Sequence, residues 1–189
     1  EDELFDEPDK NQNLVIEPYP RKYVERWRLE NGKPVNLRPI RPEDEPLEFD
    51  LFETFSKETW RYRFFGPMKE VSHEDMVRYT NIDYRREMAI VGILEEDDED
   101  KMIGVGRLIV DPDMNTGEFA IVVGDPWQGL GLGEKLTDAI IGFAVDKGLQ
   151  SIWGTILKKN KAMINLCKKL GFEIEKESEE TVKATLELR

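Results

Sequence analysis

The sequence has very few side chains that could cross-link the chain or bind a metal ion. Its single cysteine, Cys167, excludes an internal disulfide framework and is typical of a reducing compartment, so we expect a cytoplasmic location. Its single histidine, His73, has no cysteine or second histidine at metal-ligand spacing. We therefore expect no metal site.

Basic residues are also scarce: 27 lysines and arginines stand against 40 aspartates and glutamates, a formal net charge of -13. This balance argues against nucleic-acid binding, because phosphate contacts need a basic face. It favours solubility, and it also permits attraction of a cationic partner such as a lysine-bearing protein surface. Long apolar runs and a signal-peptide pattern are missing as well, so we expect no membrane segment.

The length of 189 residues is that of one domain with an extension. Residues 1–13 are acidic and nearly free of apolar side chains, which predicts a disordered linker. We expect residues 14–189 to form a single domain that opens with two extended runs around Asn31-Gly32, a pair typical of a hairpin turn. Because the chain begins without methionine, we interpret it as a piece of a longer protein.

Apolar spacing divides the remaining chain into helices and strands. Segments with helical spacing are residues 41–56, 73–80, 132–148 and 160–171. Segments typical of strands are MAIVGIL, KMIGVGRLIV, GEFAIVVGD, SIWGTIL, GFEIE and ETVKATLEL. This order predicts an α/β (α+β) domain with a mixed, largely antiparallel sheet that ends in a strand–helix–strand unit.

Three glycines crowd the stretch WQGLGLGEKL, residues 127–136, where a strand is followed by a helix. The free N–H groups and the dipole at a helix entrance favour an anion, and glycine lets that anion approach the backbone. The spacing differs from that of a P-loop and from the G-x-G-x-x-G of a dinucleotide-binding turn. A merely flexible turn is the alternative interpretation.

Two motifs resemble those of the GNAT superfamily of N-acetyltransferases. Gln128, Gly131 and Gly133 match its pyrophosphate-binding Q-x-x-G-x-G, and NKAMINLCKKLGF, residues 160–172, is similar to its later helix. The resemblance covers residues 35–188 and implies the GNAT fold, with acetyl-CoA as cosubstrate. The stretches RYRFFG and GEFAIVVGDPWQGLGLGEKL further resemble the acetyltransferase domain of bacterial Pat-type protein lysine acetyltransferases, which is often fused to an ADP-forming acyl-CoA synthetase-like region.

The resemblance also implies which residues hold acetyl-CoA. The pantetheine arm would extend the strand that ends with Ile121, Val122 and Val123. The diphosphate would lie on the turn formed by Gln128, Gly129, Leu130, Gly131, Leu132, Gly133 and Glu134. Near the pantetheine or the adenosine end would lie Asn160, Asn165 and Lys168. For Asn160, a helix-capping role alone is the alternative.

The implied reaction is attack of an amine on a thioester, and it needs a general base. A lysine side chain is only about 0.04% neutral at pH 7. Glu118 is the candidate base, because strand alternation places it on one face with Ala120 and Val122, where apolar neighbours would raise its pKa. The Pat-type resemblance places the catalytic glutamate there too. An exposed acid at a strand start is the alternative.

The general acid is not identified. Many relatives carry a tyrosine in the later helix where this chain has Cys167, and the apolar face around Cys167 favours a buried structural thiol. The stretch RYRFF, residues 61–65, either lines the acceptor groove or packs Phe64 and Phe65 into the core.

The leading hypothesis is an acetyl-CoA-dependent N-acetyltransferase that acts on protein lysine with Glu118 as base. The first alternative is an enzyme of the same fold that acetylates a small amine. The second is a non-catalytic module that binds acyl-CoA and regulates a fused partner.

Overall fold

Eight strands form one sheet in the computed structural model, which describes residues 18–113 and 115–188. The strands are β1 (Glu25–Arg28), β2 (Pro34–Pro39), β3 (Glu87–Glu96), β4 (Glu99–Val110), β5 (Thr116–Val123), β6 (Ser151–Leu157), β7 (Glu173–Lys176) and β8 (Thr181–Glu187). Their order is β1-β2-β3-β4-β5-β6-β8-β7, and only the β5–β6 pair is parallel. The predicted mixed, largely antiparallel sheet is confirmed. The predicted disordered linker, residues 1–13, lies outside the described residues.

Within the described part of the chain, five α-helices cover the two faces of the sheet. They are α1 (Glu45–Glu53), α2 (Lys57–Phe64), α3 (His73–Thr80), α4 (Leu132–Asp146) and α5 (Lys161–Lys169). Helices α4 and α5 pack over one core, which includes Leu136 and Phe143, while α1, α2 and α3 pack over a second core around Phe52. Because strand side chains alternate, β5 contributes Phe119 to the first core and Val122 to the second. None of the helices in residues 18–113 and 115–188 is long and apolar enough to span a bilayer.

The predicted Asn31-Gly32 hairpin is confirmed, strands β3 and β4 form a second hairpin, and both turns contain left-handed residues. Strands β1 and β2 are joined by a three-residue turn in which Gly32 has φ +86° and the N–H of Leu29 donates to the carbonyl of Lys33, 3.0 Å away. Strands β3 and β4 turn at Asp97 and Asp98, with φ of 53° and 60°. Aspartate tolerates this region better than most side chains, so the acidic composition also suits the turn.

Side-chain caps begin three of the helices. Helix α3 begins with a capping box, in which the N–H of Asp75 donates to Ser72 Oγ while the Asp75 carboxylate accepts from the N–H of Ser72. Helix α2 was not predicted; it begins after Ser56, whose Oγ accepts from the N–H of Thr59 at 3.1 Å. This eight-residue helix carries part of the stretch 61–65 to the site.

Candidate active site

Strands β5 and β6 are paired only at their N-terminal ends and then separate. Their register ends with Glu118 opposite Trp153, whereas β5 stays paired with β4 as far as Val123. The N–H of the residue after β5 donates to β4, so strand alternation turns the backbone groups of Phe119 and Ile121 toward the opening beside β6. The opening therefore exposes a short sheet edge, to which an extended ligand can add as a strand does.

The turn from β5 to α4 presents a row of six consecutive backbone N–H groups, those of Gly129–Glu134. None of the six has an acceptor within the part of the chain that the structure describes. Two of the residues need to be glycine, because Gly129 has φ +77° and Gly131 has φ +87°. Free amides at a helix start, together with the helix dipole, form a site for a phosphate group.

Gln128 and Asn160, both predicted to bind the ligand, use their side chains within the fold. The amide nitrogen of Gln128 donates to the carbonyl of Val123 at 3.0 Å and to Thr59 Oγ1 at 3.1 Å, which ties the turn to β5 and α2. The side-chain oxygen of Asn160 accepts from the N–H of Met163 at 3.2 Å and caps α5. The capping role of Asn160 is thus confirmed, and its contact with a ligand stays a prediction.

The turn is also held from two other elements. The N–H of Glu30, in the β1–β2 hairpin, donates to the carbonyl of Leu130 at 3.0 Å. On the opposite side, Lys169 of α5 forms an ion pair with Glu134 at 2.8 Å. A side chain at position 131 would place its Cβ 3.3 Å from the Glu30 carboxylate. These contacts fix the backbone around the free amides before any ligand is bound.

Glu118 lies where β5 and β6 begin to separate, on the face of the sheet that it shares with its register partners Ile109 and Trp153. Its side chain is exposed. Even so, partial burial raises its pKa, and the nearby carboxylate of Asp111 raises it further. The structure therefore combines the two features that the sequence left as alternatives, an exposed acid and a raised pKa.

Helix α2 and the residue that follows it supply three side chains to this cleft. Tyr62, Arg63 and Phe65 line it together with Glu118, Ile121, Asn160 and Met163. The hydroxyl of Tyr62 donates to the carbonyl of Lys159 at 3.1 Å, so α2 reaches across to the loop before α5. The prediction that Phe65 packs in the core is wrong, because this residue is 46% exposed. Phe64, by contrast, is half-buried against the second core.

Three residues of α5 that the sequence singled out occupy different surroundings. Asn165 and Lys168 are exposed and do not line the cleft between β5 and β6. Cys167 is fully buried in the first core, and burial raises the pKa of its thiol to about 12. The prediction that Cys167 is a structural thiol is confirmed by this burial.

No cluster of three or more histidine, cysteine, aspartate or glutamate side chains within residues 18–113 and 115–188 is arranged to share a metal ion. His73 is solvent-exposed and contacts the carboxylate of Glu45. The side chains that line the cleft offer a carboxylate, a guanidinium and a phenol, while the free amides lie beyond the other end of β5.

Comparison with known proteins agrees with this geometry. A family model described as an acetyltransferase (GNAT) domain matches residues 35–173. The chain is also 33% identical over 144 residues to Acetyltransferase PA5475 of Pseudomonas aeruginosa. The aligned residues make up 76% of this chain and 77% of that protein.

Two solved structures are similar in fold. The GNAT domain of S. lividans PAT covers 90% of this chain and 100% of its own, with a TM-score of 0.83 and 23% identity. A spermidine N-acetyltransferase from Vibrio cholerae, solved in complex with CoA and spermine, covers 82% of this chain and 95% of its own, with a TM-score of 0.65 and 20% identity.

Proposed function

The chain belongs to the GNAT family of acetyltransferases, and we propose that it transfers the acetyl group of acetyl-CoA to the ε-amine of a protein lysine. The observation that carries this proposal is the layout of β5, which has a carboxylate, Glu118, near one end and the row of free amides after the other. From Glu118 to Val123 the strand spans about 17 Å. A ligand that reaches both ends needs an anionic group, a long narrow arm and a reactive tip, as acetyl-CoA has.

In this proposal the N–H groups of Gly129–Glu134 bind the diphosphate, and Gln128 holds the turn in place for them. The exposed edge of β5 at Ile121–Val123 binds the amides of the pantetheine arm through its backbone. Asn160 lies in the cleft and meets the arm from the opposite side. Asn165 and Lys168 are left for the adenosine end, which extends beyond the cleft into solvent.

Glu118 is the proposed general base. The ammonium group of the acceptor gives its proton to the Glu118 carboxylate, so the neutral nitrogen can form the new N–C bond. The C–S bond then breaks and the electron pair leaves with the sulfur, while the nitrogen loses a second proton as the amide forms; transfer of one proton to the sulfur gives the thiol of CoA. Attack is direct, since Cys167, the only cysteine of the chain, is buried and its thiol stays protonated.

Protein lysine is favoured as acceptor by the Pat-type stretches of the sequence and by the likeness in fold to the GNAT domain of S. lividans PAT. A small amine is the alternative, favoured by the likeness to spermidine N-acetyltransferase. A cytoplasmic location and a fused acyl-CoA synthetase-like region are part of the Pat-type hypothesis. A non-catalytic acyl-CoA-binding module is the remaining alternative.

The variant Glu118→Gln tests the base. Turnover should fall by a factor of about 10² or more, because the acceptor amine then keeps its proton. Binding of desulfo-CoA, measured by calorimetry, should change little, since Glu118 lies away from the amide row.

Glu175→Gln is the matched control, because Glu175 is an exposed acid on β7 that does not line the cleft. Unchanged turnover in Glu118→Gln would remove Glu118 from the mechanism. Absence of turnover in the parent protein with every amine tried would favour the non-catalytic module.

A further inference from the structure

Arg63 is an enclosed cation that the scaffold leaves without a carboxylate partner. It is half-buried on α2 and lines the same narrow cleft as Glu118. Its guanidinium carbon lies 4.9 Å from the centre of the Phe64 ring. Among the described residues, no carboxylate oxygen lies within 4.0 Å of it. A partly desolvated charge is costly unless it is compensated, so its presence here calls for a reason.

Behind Arg63 lies a buried group of charges that is already held together by a different arginine. Arg107, on β4, is 4% exposed and donates to Glu87 at 2.8 Å, to the carbonyl of Tyr79 at 3.1 Å and to Glu48 at 3.4 Å. These bonds give Glu87 and one oxygen of Glu48 their partner without any help from Arg63. Within the described residues Arg63 forms no ion pair with this group, although its charge also lowers the pKa of Glu48, and its side chain lines the cleft.

On the cleft side, charged groups from three elements act on Glu118. Burial and Asp111, which follows β4, raise its pKa; Arg63 lowers it, and Glu177, which follows β7, raises it. Asp111 accepts a hydrogen bond from Trp153 Nε1 at 3.1 Å, so its position beside Glu118 is fixed.

The other elements around the cleft add little charge. Helix α5 brings only the uncharged Asn160 and Met163. On β8, Lys183 stacks over the Trp153 ring with its nitrogen 4.9 Å from the ring centre. Arg63 is thus the one cationic side chain that lines the cleft in the described part of the chain.

We propose that Arg63 is a positioning residue of the acetyl transfer, whose charge keeps Glu118 ionised and therefore able to accept the proton. This inference rests on the proposed role of Glu118 as base. Burial lowers the pKa of Arg63 to about 10, as does the neighbouring Arg107, but Arg63 still carries its charge at neutral pH. Without that charge, only the two carboxylates and partial burial would act on Glu118. Protonated Glu118 would then persist to higher pH.

The test is the pH dependence of kcat/KM in the variants Arg63→Gln and Arg63→Lys. In Arg63→Gln, the ratio of kcat/KM to that of the parent should be close to one at alkaline pH and fall toward about one tenth at the acid end of the pH profile, which corresponds to an acidic limb displaced to higher pH by about one unit. The acceptor amine titrates identically in both proteins, so the ratio removes its contribution. Arg63→Lys should restore most of the lost activity because it keeps the charge.

Arg61→Gln is the matched control on the same helix, since Arg61 is exposed and pairs with Glu180 at 3.7 Å. It should follow the parent at every pH. The affinity of Arg63→Gln for desulfo-CoA should be unchanged, which also shows that the variant is folded.

The role of Arg63 would be overturned if kcat/KM of Arg63→Gln, relative to the parent, fell equally at all pH values. It would also be overturned if the acidic limb of the kcat/KM profile stayed at the same pH. The two proposals fail separately. If Glu118→Gln loses activity but Arg63→Gln leaves the limb in place, only the inference on Arg63 is wrong. If Glu118→Gln keeps both its activity and its acidic limb, the proposed function of Glu118 is wrong.

Discussion

At the scale of single residues, Glu48 is the most unusual group in the protein. It is 2% exposed, and one of its carboxylate oxygens has no hydrogen-bond partner in the part of the chain that the structure describes. Burial raises its pKa to about 7, although the neighbouring Arg107 acts in the opposite direction. Glu48 thus titrates near neutral pH inside the second core, next to the cleft rather than within it.

This titration predicts a pH-dependent stability. Because the pKa of Glu48 is raised in the folded state, the folded protein binds the proton more tightly than the unfolded chain does. The stability it contributes is present below pH 4.5 and is lost as the pH rises to about 7, by at most roughly 3 kcal/mol. The free energy of unfolding of Glu48→Gln, relative to the parent, should therefore rise between pH 5 and pH 8.

Urea unfolding at the two pH values measures this difference. Glu53→Gln is the control, since Glu53 is an exposed acid on the same helix. A difference between Glu48→Gln and the parent that stays constant from pH 5 to pH 8 would mean that Glu48 is ionised in the folded protein throughout.

At the scale of elements, the turn between β5 and α4 is the segment whose conformation depends most directly on its residue types. Gly131 ends the turn in a left-handed conformation, and the six consecutive N–H groups of Gly129–Glu134 have no acceptor among the described residues. An L-residue there costs roughly 1–2 kcal/mol and also brings a methyl group to 3.3 Å from Glu30. The element is therefore sensitive to a single Cβ atom.

Gly131→Ala should weaken binding of desulfo-CoA by a factor of about ten or more, because a shift of the turn misaligns several amides at once. Calorimetry measures the loss. Gly142→Ala is the control, since Gly142 lies inside α4 and a Cβ there meets nothing within 4 Å. That control should bind normally and be more stable by about 0.5–1 kcal/mol. Equal affinity of both variants would contradict a diphosphate site at this turn.

At the scale of the whole molecule, the net charge of -13 affects which acceptor the protein attracts. An acidic protein attracts a basic partner and repels an anionic one, and salt weakens both effects. The two amine classes of the proposal, protein lysine and free polyamine, are both cationic, so charge by itself does not separate them. The two classes are distinguished by offering the protein a mixture that contains both and identifying which amines become acetylated.

Incubation of the protein with labelled acetyl-CoA and a cell lysate should modify lysine side chains of proteins, as mass spectrometry detects. The rate should decrease with added salt, because the attraction between acidic enzyme and basic acceptor is screened. Glu118→Gln is the control for non-enzymatic acetylation. If only free polyamines or amino acids carry the label, the acceptor is a small amine.

Most local features follow from short stretches of the sequence alone. The Asn31-Gly32 hairpin, the Ser72–Asp75 capping box and the Asn160 cap depend on neighbours along the chain, so their residue types are sufficient to predict them. The glycine-rich turn is of the same kind, because a left-handed backbone needs glycine wherever the chain folds.

Only the tertiary structure decided where β5 and β6 separate and what surrounds Glu118. Arg63 comes from an earlier helix and Asp111 from the end of another strand, and no periodicity in the sequence relates them to Glu118. Burial and charge depend on residues brought together across the sheet. The sequence therefore determined the elements and the candidate base, while the environment that sets the protonation of that base exists only once the sheet and α2 have packed.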